Sequence, residues 1–137
     1  MRIGRKGLPA DTTIPENASG VVIFAHGSGS SRLSPRNREV AHALNQAGLA
    51  TVLFDLLTPE EAEDRRNVFD IPLLARRMGE AIAAVRESGD LHGMRIGLFG
   101  ASTGAAAALR AAAREGGKIS AVVSRGGRPD LAFDVLG

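Results

Sequence analysis

Strands alternating with amphipathic helices predict an α/β fold for this chain: a mostly parallel sheet flanked by helices, in one domain over residues 1–137. Three observations carry that expectation. Val21–Ala25 and Ala50–Phe54 are short, continuous apolar runs, the pattern of strands buried on both faces of a parallel sheet. Segments with apolar residues at helical spacing, bounded by capping residues and glycines, separate and follow them. A further apolar run, Arg95–Phe99, feeds Gly100-Ala101-Ser102-Thr103-Gly104 straight into the alanine-rich stretch 105–113. Strand, tight turn and helix in immediate succession connect parallel strands through right-handed crossovers.

Taken in order, two short extended segments near Arg2–Arg5 and Ala10–Ile14 read as edge strands. After Val21–Ala25 comes the glycine-serine loop His26-Gly27-Ser28-Gly29-Ser30-Ser31. Ser34 has the chemistry of an N-cap, with Pro35 at the first helical position. That helix carries Val40, Leu44 and Ala47 on one face and stops at Gly48. Residues 58–67 are dense in Glu, Asp and Arg and read as a solvated excursion. A second helix starts at Asp70 with Pro72 in its first turn, repeats Leu74, Met78, Ile82 and Val85, and ends at Gly89. Gly116-Gly117 closes the helix after Ser102, and Ile119–Val123 is a last strand leading to 124–130.

Composition narrows the function classes. The chain is 44% hydrophobic and 23% charged, ordinary for a globular domain with one core. It has no cysteine and only three histidines, which excludes disulfides, thiolate chemistry and Cys/His metal clusters, and no cofactor is implied. A net charge of +2 and the lack of basic runs interleaved with aromatics argue against nucleic-acid binding. No apolar run has membrane-spanning length and no cationic-then-apolar leader is present, so the expected compartment is the cytoplasm.

Chemistry in doubly wound sheets gathers at the carboxyl ends of the strands, where three loops lie: 27–32, 100–104 and 125–130. Gly100 to Gly104 fits the G-x-S-x-G turn that lifts a serine hydroxyl above the sheet edge. The plainer alternative is a glycine-rich connection with no chemistry. A serine hydroxyl needs a base to take its proton and N–H donors for the oxyanion. The N–H groups of Thr103 and Ser28 are the expected donors; a merely flexible loop is the alternative at 26–31. Asp130 is a candidate acid whose plainer role is helix capping or turn formation, and Asp134 is considered after it. His26 is expected to bond backbone, while His42 and His92 read as surface residues. Arg32, Arg36, Arg125 and Arg128 either contact a substrate anion or fix loops, with nothing in the sequence to choose between the two. No G-K-[ST] follows a glycine loop, which disfavours a nucleotide site.

The set Val21–Arg32, Ser34–Asn37, Phe54–Thr58, Gly97–Gly104 and Ser124–Asp130 resembles the α/β-hydrolase superfamily and, within it, the dienelactone-hydrolase-like proteins. That resemblance implies ester, lactone or thioester hydrolysis through an acyl-enzyme on Ser102, acting on a small molecule. In the family's chain order the acid and the histidine follow the nucleophile. Here His26, His42 and His92 all precede Ser102. The resemblance therefore implies the N-terminal part of the fold, incomplete at the C-terminus, with the triad Asp and His missing from the chain. A last strand Ile119–Val123 left as an apolar edge would favour a homo-oligomer. The rival expectation is a non-catalytic binding or assembly module that keeps the elbow as a structural turn.

Overall fold

A computed structural model describes residues 1–125. The chain runs β1 (Arg2–Ile3), β2 (Leu8–Thr13), β3 (Gly20–Ala25), α1 (Pro35–Gln46), β4 (Ala50–Phe54), α2 (Pro59–Ala62), α3 (Arg65–Val68), α4 (Ile71–Glu87), β5 (Arg95–Ala101), α5 (Thr103–Glu115) and β6 (Ala121–Arg125). The six strands form one sheet in the order β1-β2-β4-β3-β5-β6. β4, β3, β5 and β6 are parallel, while β1 and β2 add an antiparallel hairpin against β4. The predicted α/β architecture is what the chain adopts.

Alternation along β3 decides which side of the sheet each residue serves. Val21, Ile23 and Ala25 face α4 and α5, where they join Met78, Ile82, Val85 and the alanines 106–108 in the main core. Val22 and Phe24 face α1, in a smaller cluster with Ala41, Leu53 and Phe99; the Phe24 and Phe99 rings lie 4.9 Å apart. Alanines on α5 let that helix sit close to the strands, so the site end of β3 and β5 meets its N-terminus directly.

Caps appear where the sequence places them. Ser34 Oγ accepts the Asn37 N–H, and Asp70 Oδ1 accepts that of Leu73. Four boundaries differ. Ala47 does not join the buried face of α1, because it is the exposed C-cap residue; Asn37 and Ala41 are buried instead. β2 is internal to the sheet, between β1 and β4, so only β1 is an edge strand on that side. The acidic stretch 58–67 folds into α2 and α3 because it carries its own caps: Thr58 and Glu61 form a capping box, and Asp64 caps α3.

The last strand is Ala121–Arg125, two residues later than Ile119–Val123. β5 continues to Ala101, and register pairs Gly97 with Ala121 through Ala101 with Arg125. Ile119 packs partly against the main core, and the Ser120 N–H bonds the Ile96 carbonyl at 2.9 Å.

Ile3 shows how far the core reaches. It sits in a two-residue strand yet is fully buried in the main cluster. We expect Ile3→Ala to lower the unfolding free energy by about 2–5 kcal/mol, as for a core residue. Urea denaturation checks this; a change below about 0.5 kcal/mol would show that the hairpin is peripheral.

Candidate active site

Ser102 occupies the bend between β5 and α5 with φ 55° and ψ −126°, one of two non-glycine residues at positive φ among those described. Such a conformation costs about 1–3 kcal/mol and persists only where the surroundings impose it. They do so by crowding. A Cβ at Gly104 would overlap the Ala25 carbonyl oxygen and lie 2.5 Å from that of His26. A Cβ at Gly100 would lie 2.5 Å from the Ala105 Cα. Backbone must touch backbone on both sides of the serine, so the turn closes within one residue. The Ser102 N–H reaches the Arg125 carbonyl at 3.4 Å, which sets β6 against the same bend.

Ser102 is partly exposed, and its side chain makes no capping bond to α5 although it sits at the helix N-cap. An ordinary N-cap serine uses its hydroxyl on the helix N–H groups. This one leaves it available. The glycine-serine loop comes up beside it: a Cβ at Gly27 would lie 2.9 Å from the Ser102 Cβ and 3.0 Å from the Ala101 carbonyl oxygen. Glycine is thus the only residue type that lets the loop pass this close to Ser102.

A cavity of about 410 Å³ opens at this end of the sheet. Residues 26–31 and Thr103 form one side of it, and Asp55 to Pro59 with Ala62, Val68 and Leu74 form the other. Thr103 is buried at the first position of α5. Ser28 and Thr103 therefore border one space, while the Ser102 side chain adjoins it at Gly27 rather than lining it.

His26 is occupied on both nitrogens. Its Nε2 accepts the Leu56 N–H at 3.0 Å, so the proton sits on Nδ1, which donates to the Gly27 carbonyl at 3.0 Å. Burial pushes its pKa below 6.5, against smaller opposing effects of the Gly27 carbonyl and Asp55. It is a neutral strut tying the glycine-serine loop to the far wall. His42 lies exposed on α1, and exposed His92 bonds the Arg86 carbonyl through Nδ1.

Of the two roles open to Arg32, fixing a loop is the one its geometry displays. Its backbone N–H and Nη1 donate to Asp55 at 2.8 and 2.9 Å, and its Nε lies 3.5 Å from Asp11. Arg125 donates to the buried Asn37 at 3.1 Å and stacks over Phe99 at 5.7 Å. Arg36 is exposed at the start of α1. Asp130, Asp134 and Arg128 lie outside the described residues. Among the described residues no cluster of three or more His, Asp or Glu is arranged to hold a metal ion, and no helix is long and apolar enough to cross a membrane.

Sequence reasoning missed the second strut. Arg77, buried on α4, donates to the Leu56 carbonyl at 3.1 Å and bidentately to Glu61 at 2.8 and 2.7 Å. Leu56 is thereby held by its N–H from His26 and by its carbonyl from Arg77. The Arg77 guanidinium draws the Glu61 carboxyl down from 4.5 to about 2. The T-x-x-E spacing of Thr58 and Glu61 was the available signal, since a capping box brings that carboxylate inward.

Three outcomes follow. Gly104→Ala should prevent or severely weaken folding, whereas Gly79→Ala, with open space around its Cβ inside α4, should stabilise by about 0.4–1 kcal/mol. Chemical denaturation of the pair checks the sign reversal. The lowered His26 pKa means that the unfolded chain binds the proton first. Its stabilisation is full above pH 6.5 and falls as pH drops toward the lower folded value. The lowered Glu61 pKa likewise gives stabilisation present above pH 4.5 and lost as pH falls through about 2. Urea titrations at several pH values should show the upper limb disappear in His26→Asn and the lower limb in Glu61→Gln; unchanged profiles would contradict both assignments.

Comparison with known proteins agrees with this geometry. Residues 18–126 match a family model described as an alpha/beta hydrolase domain. The chain is similar to a dienelactone hydrolase from Anabaena variabilis, with a TM-score of 0.92 and 54% identity over 96% of this chain and 63% of that one. Est1E from Butyrivibrio proteoclasticus shares the fold, with a TM-score of 0.73 at 20% identity over 89% of this chain and 48% of that one. A provisionally named phosphoribosyl transferase of Mycobacterium tuberculosis, found in two strains, is 59% identical over 125 residues, 91% of this chain. The chain spans 28% of the length of these curated relatives. A strand-elbow-helix built on backbone contact, together with the match over residues 18–126, places this chain in the alpha/beta hydrolase family, on its dienelactone-hydrolase-like side.

Proposed function

We propose that this chain carries the nucleophile and oxyanion site of a serine hydrolase that cleaves an ester, lactone or thioester. The observation that carries the reading is the uncapped hydroxyl of Ser102 at φ 55°, facing a loop that only glycine could bring so near. Ser102 Oγ attacks the substrate carbonyl carbon and its proton passes to a base. The N–H groups of Thr103 and Ser28 donate to the oxyanion, a contribution of about 3 kcal/mol for each donor in comparable sites. Collapse of the tetrahedral species expels the alcohol or thiol, and water then releases the acid from the acyl-enzyme.

His26 does not serve as the base in this reading, since the Leu56 N–H occupies Nε2 and Nδ1 serves Gly27. It is the one histidine beside the cavity among the described residues. The base and its acid therefore come from outside these residues. The transferase name borne by the mycobacterial relatives belongs to proteins more than three times this long, and residues 18–126 fall within the hydrolase domain.

Labelling with a fluorophosphonate tests the proposal. Mass spectrometry should find the adduct on Ser102, with none in Ser102→Ala. Gly27→Ala, which presses a methyl against the nucleophile, should slow labelling roughly 100-fold, the typical penalty for misplacing reacting groups by about 1 Å. An unlabelled Ser102 would favour the elbow as a structural turn of a binding module. Turnover of p-nitrophenyl acetate by this chain alone should be slow. Ordinary enzymatic rates that vanish in Ser102→Ala would overturn the assignment of the base to a site outside the described residues.

A further inference from the structure

The cavity beside the elbow has a chemical bias that the hydrolase reading does not specify. Its far wall is Leu56, Leu57, Pro59, Ala62, Val68 and Leu74. Among the described residues that line it there is no lysine or arginine. The two titratable side chains among the described lining residues are neutralised in place. Asp55 is paired with the Arg32 guanidinium and accepts its backbone N–H, and His26 is held neutral by its two backbone bonds.

Arg77 and Glu61 pack behind this wall. Arg77 donates both to Glu61 and to the Leu56 carbonyl, and neither charged side chain is among the described residues lining the cavity. Arg125 stacks over Phe99 and donates to Asn37 on α1, and it is not among the described residues lining the cavity.

We propose, building on the Ser102 reading above, that this cavity takes an uncharged aliphatic chain, and that the preferred substrate is a neutral ester rather than one bearing a carboxylate. An anion entering here would leave its water with no cation among the described lining residues to replace it, and it would meet an aspartate already satisfied by an arginine. Such unpaired burial is heavily penalised. An aliphatic chain meets leucine, valine, proline and alanine carbons and gains by leaving water. At about 410 Å³ the space falls in the lower part of the 300–1,000 Å³ range of small-molecule sites, which suits a short chain. The two struts on Leu56 fix the wall, so the preference is built into the folded chain rather than induced by the ligand.

Methyl hexanoate and monomethyl adipate form the test pair, because they differ only in a terminal methyl against a terminal carboxylate. Binding to the full chain carrying Ser102→Ala, where nothing is turned over, is followed by amide shifts in NMR titration. Methyl hexanoate should move the amides of Leu56, Leu57, Val68 and Thr103 and bind at least 10-fold more tightly than monomethyl adipate. Ala62→Arg, at an exposed position on the rim, should erase or reverse that ratio. Equal or tighter binding of the adipate, shifts away from the cavity, or no binding of either ester would overturn the proposal. The titration does not use the serine hydroxyl. Its failure removes the chain preference alone, whereas absent fluorophosphonate labelling removes the nucleophile reading beneath it.

Discussion

The structure turns on one constraint: at the carboxyl end of β3 and β5, backbone packs on backbone with no room for a side chain. Gly104 lies against the Ala25 and His26 carbonyls, Gly100 against Ala105, and Gly27 against Ser102. Helix α5 can start there only if the chain reverses within a single residue. Ser102 absorbs that reversal in a left-handed conformation, which turns its hydroxyl away from the helix N–H groups it would otherwise cap. Local strain at one serine is thus the product of close packing among three glycines, and the surrounding core supplies the stability that maintains it.

Around this bend the fold arranges two kinds of support. The apolar kind is the main cluster shared by β3, α4 and α5, which fixes where the helix starts. The polar kind is the pair of struts on Leu56, one from a neutral histidine and one from a buried arginine bonded to a carboxylate. Removing one partner from a buried, hydrogen-bonded ion pair leaves a charge with no compensation, typically a loss of about 3–5 kcal/mol. Glu61 is partly solvated, so its share is smaller than that of a fully enclosed group. The struts hold the apolar wall opposite the glycine-serine loop, which links the fold's stability to the shape of the cavity.

Much of this was legible in the residues. Apolar runs announced the parallel strands, Ser34 and Asp70 announced their helices, and the G-x-S-x-G between strand and helix announced the elbow. What the sequence hid was long-range pairing. Nothing near Arg77 in the chain shows that it bonds Leu56 and Glu61, 21 and 16 residues away. The same holds for Arg32, whose choice between substrate and Asp55 depends on a contact spanning 23 residues. The last strand lies two residues beyond the apolar run Ile119–Val123 because its position follows from the register of β5, not from its own apolar pattern.

The central claim is that close backbone packing forces Ser102 into positive φ and frees its hydroxyl. A high-resolution crystal structure of the chain tests it most directly. The account predicts φ near +55° at Ser102, with Oγ bonded to no N–H of α5 and with Gly27 in contact with the serine. Negative φ at Ser102, or an Oγ that caps the Ala105 or Ala106 N–H, would contradict it.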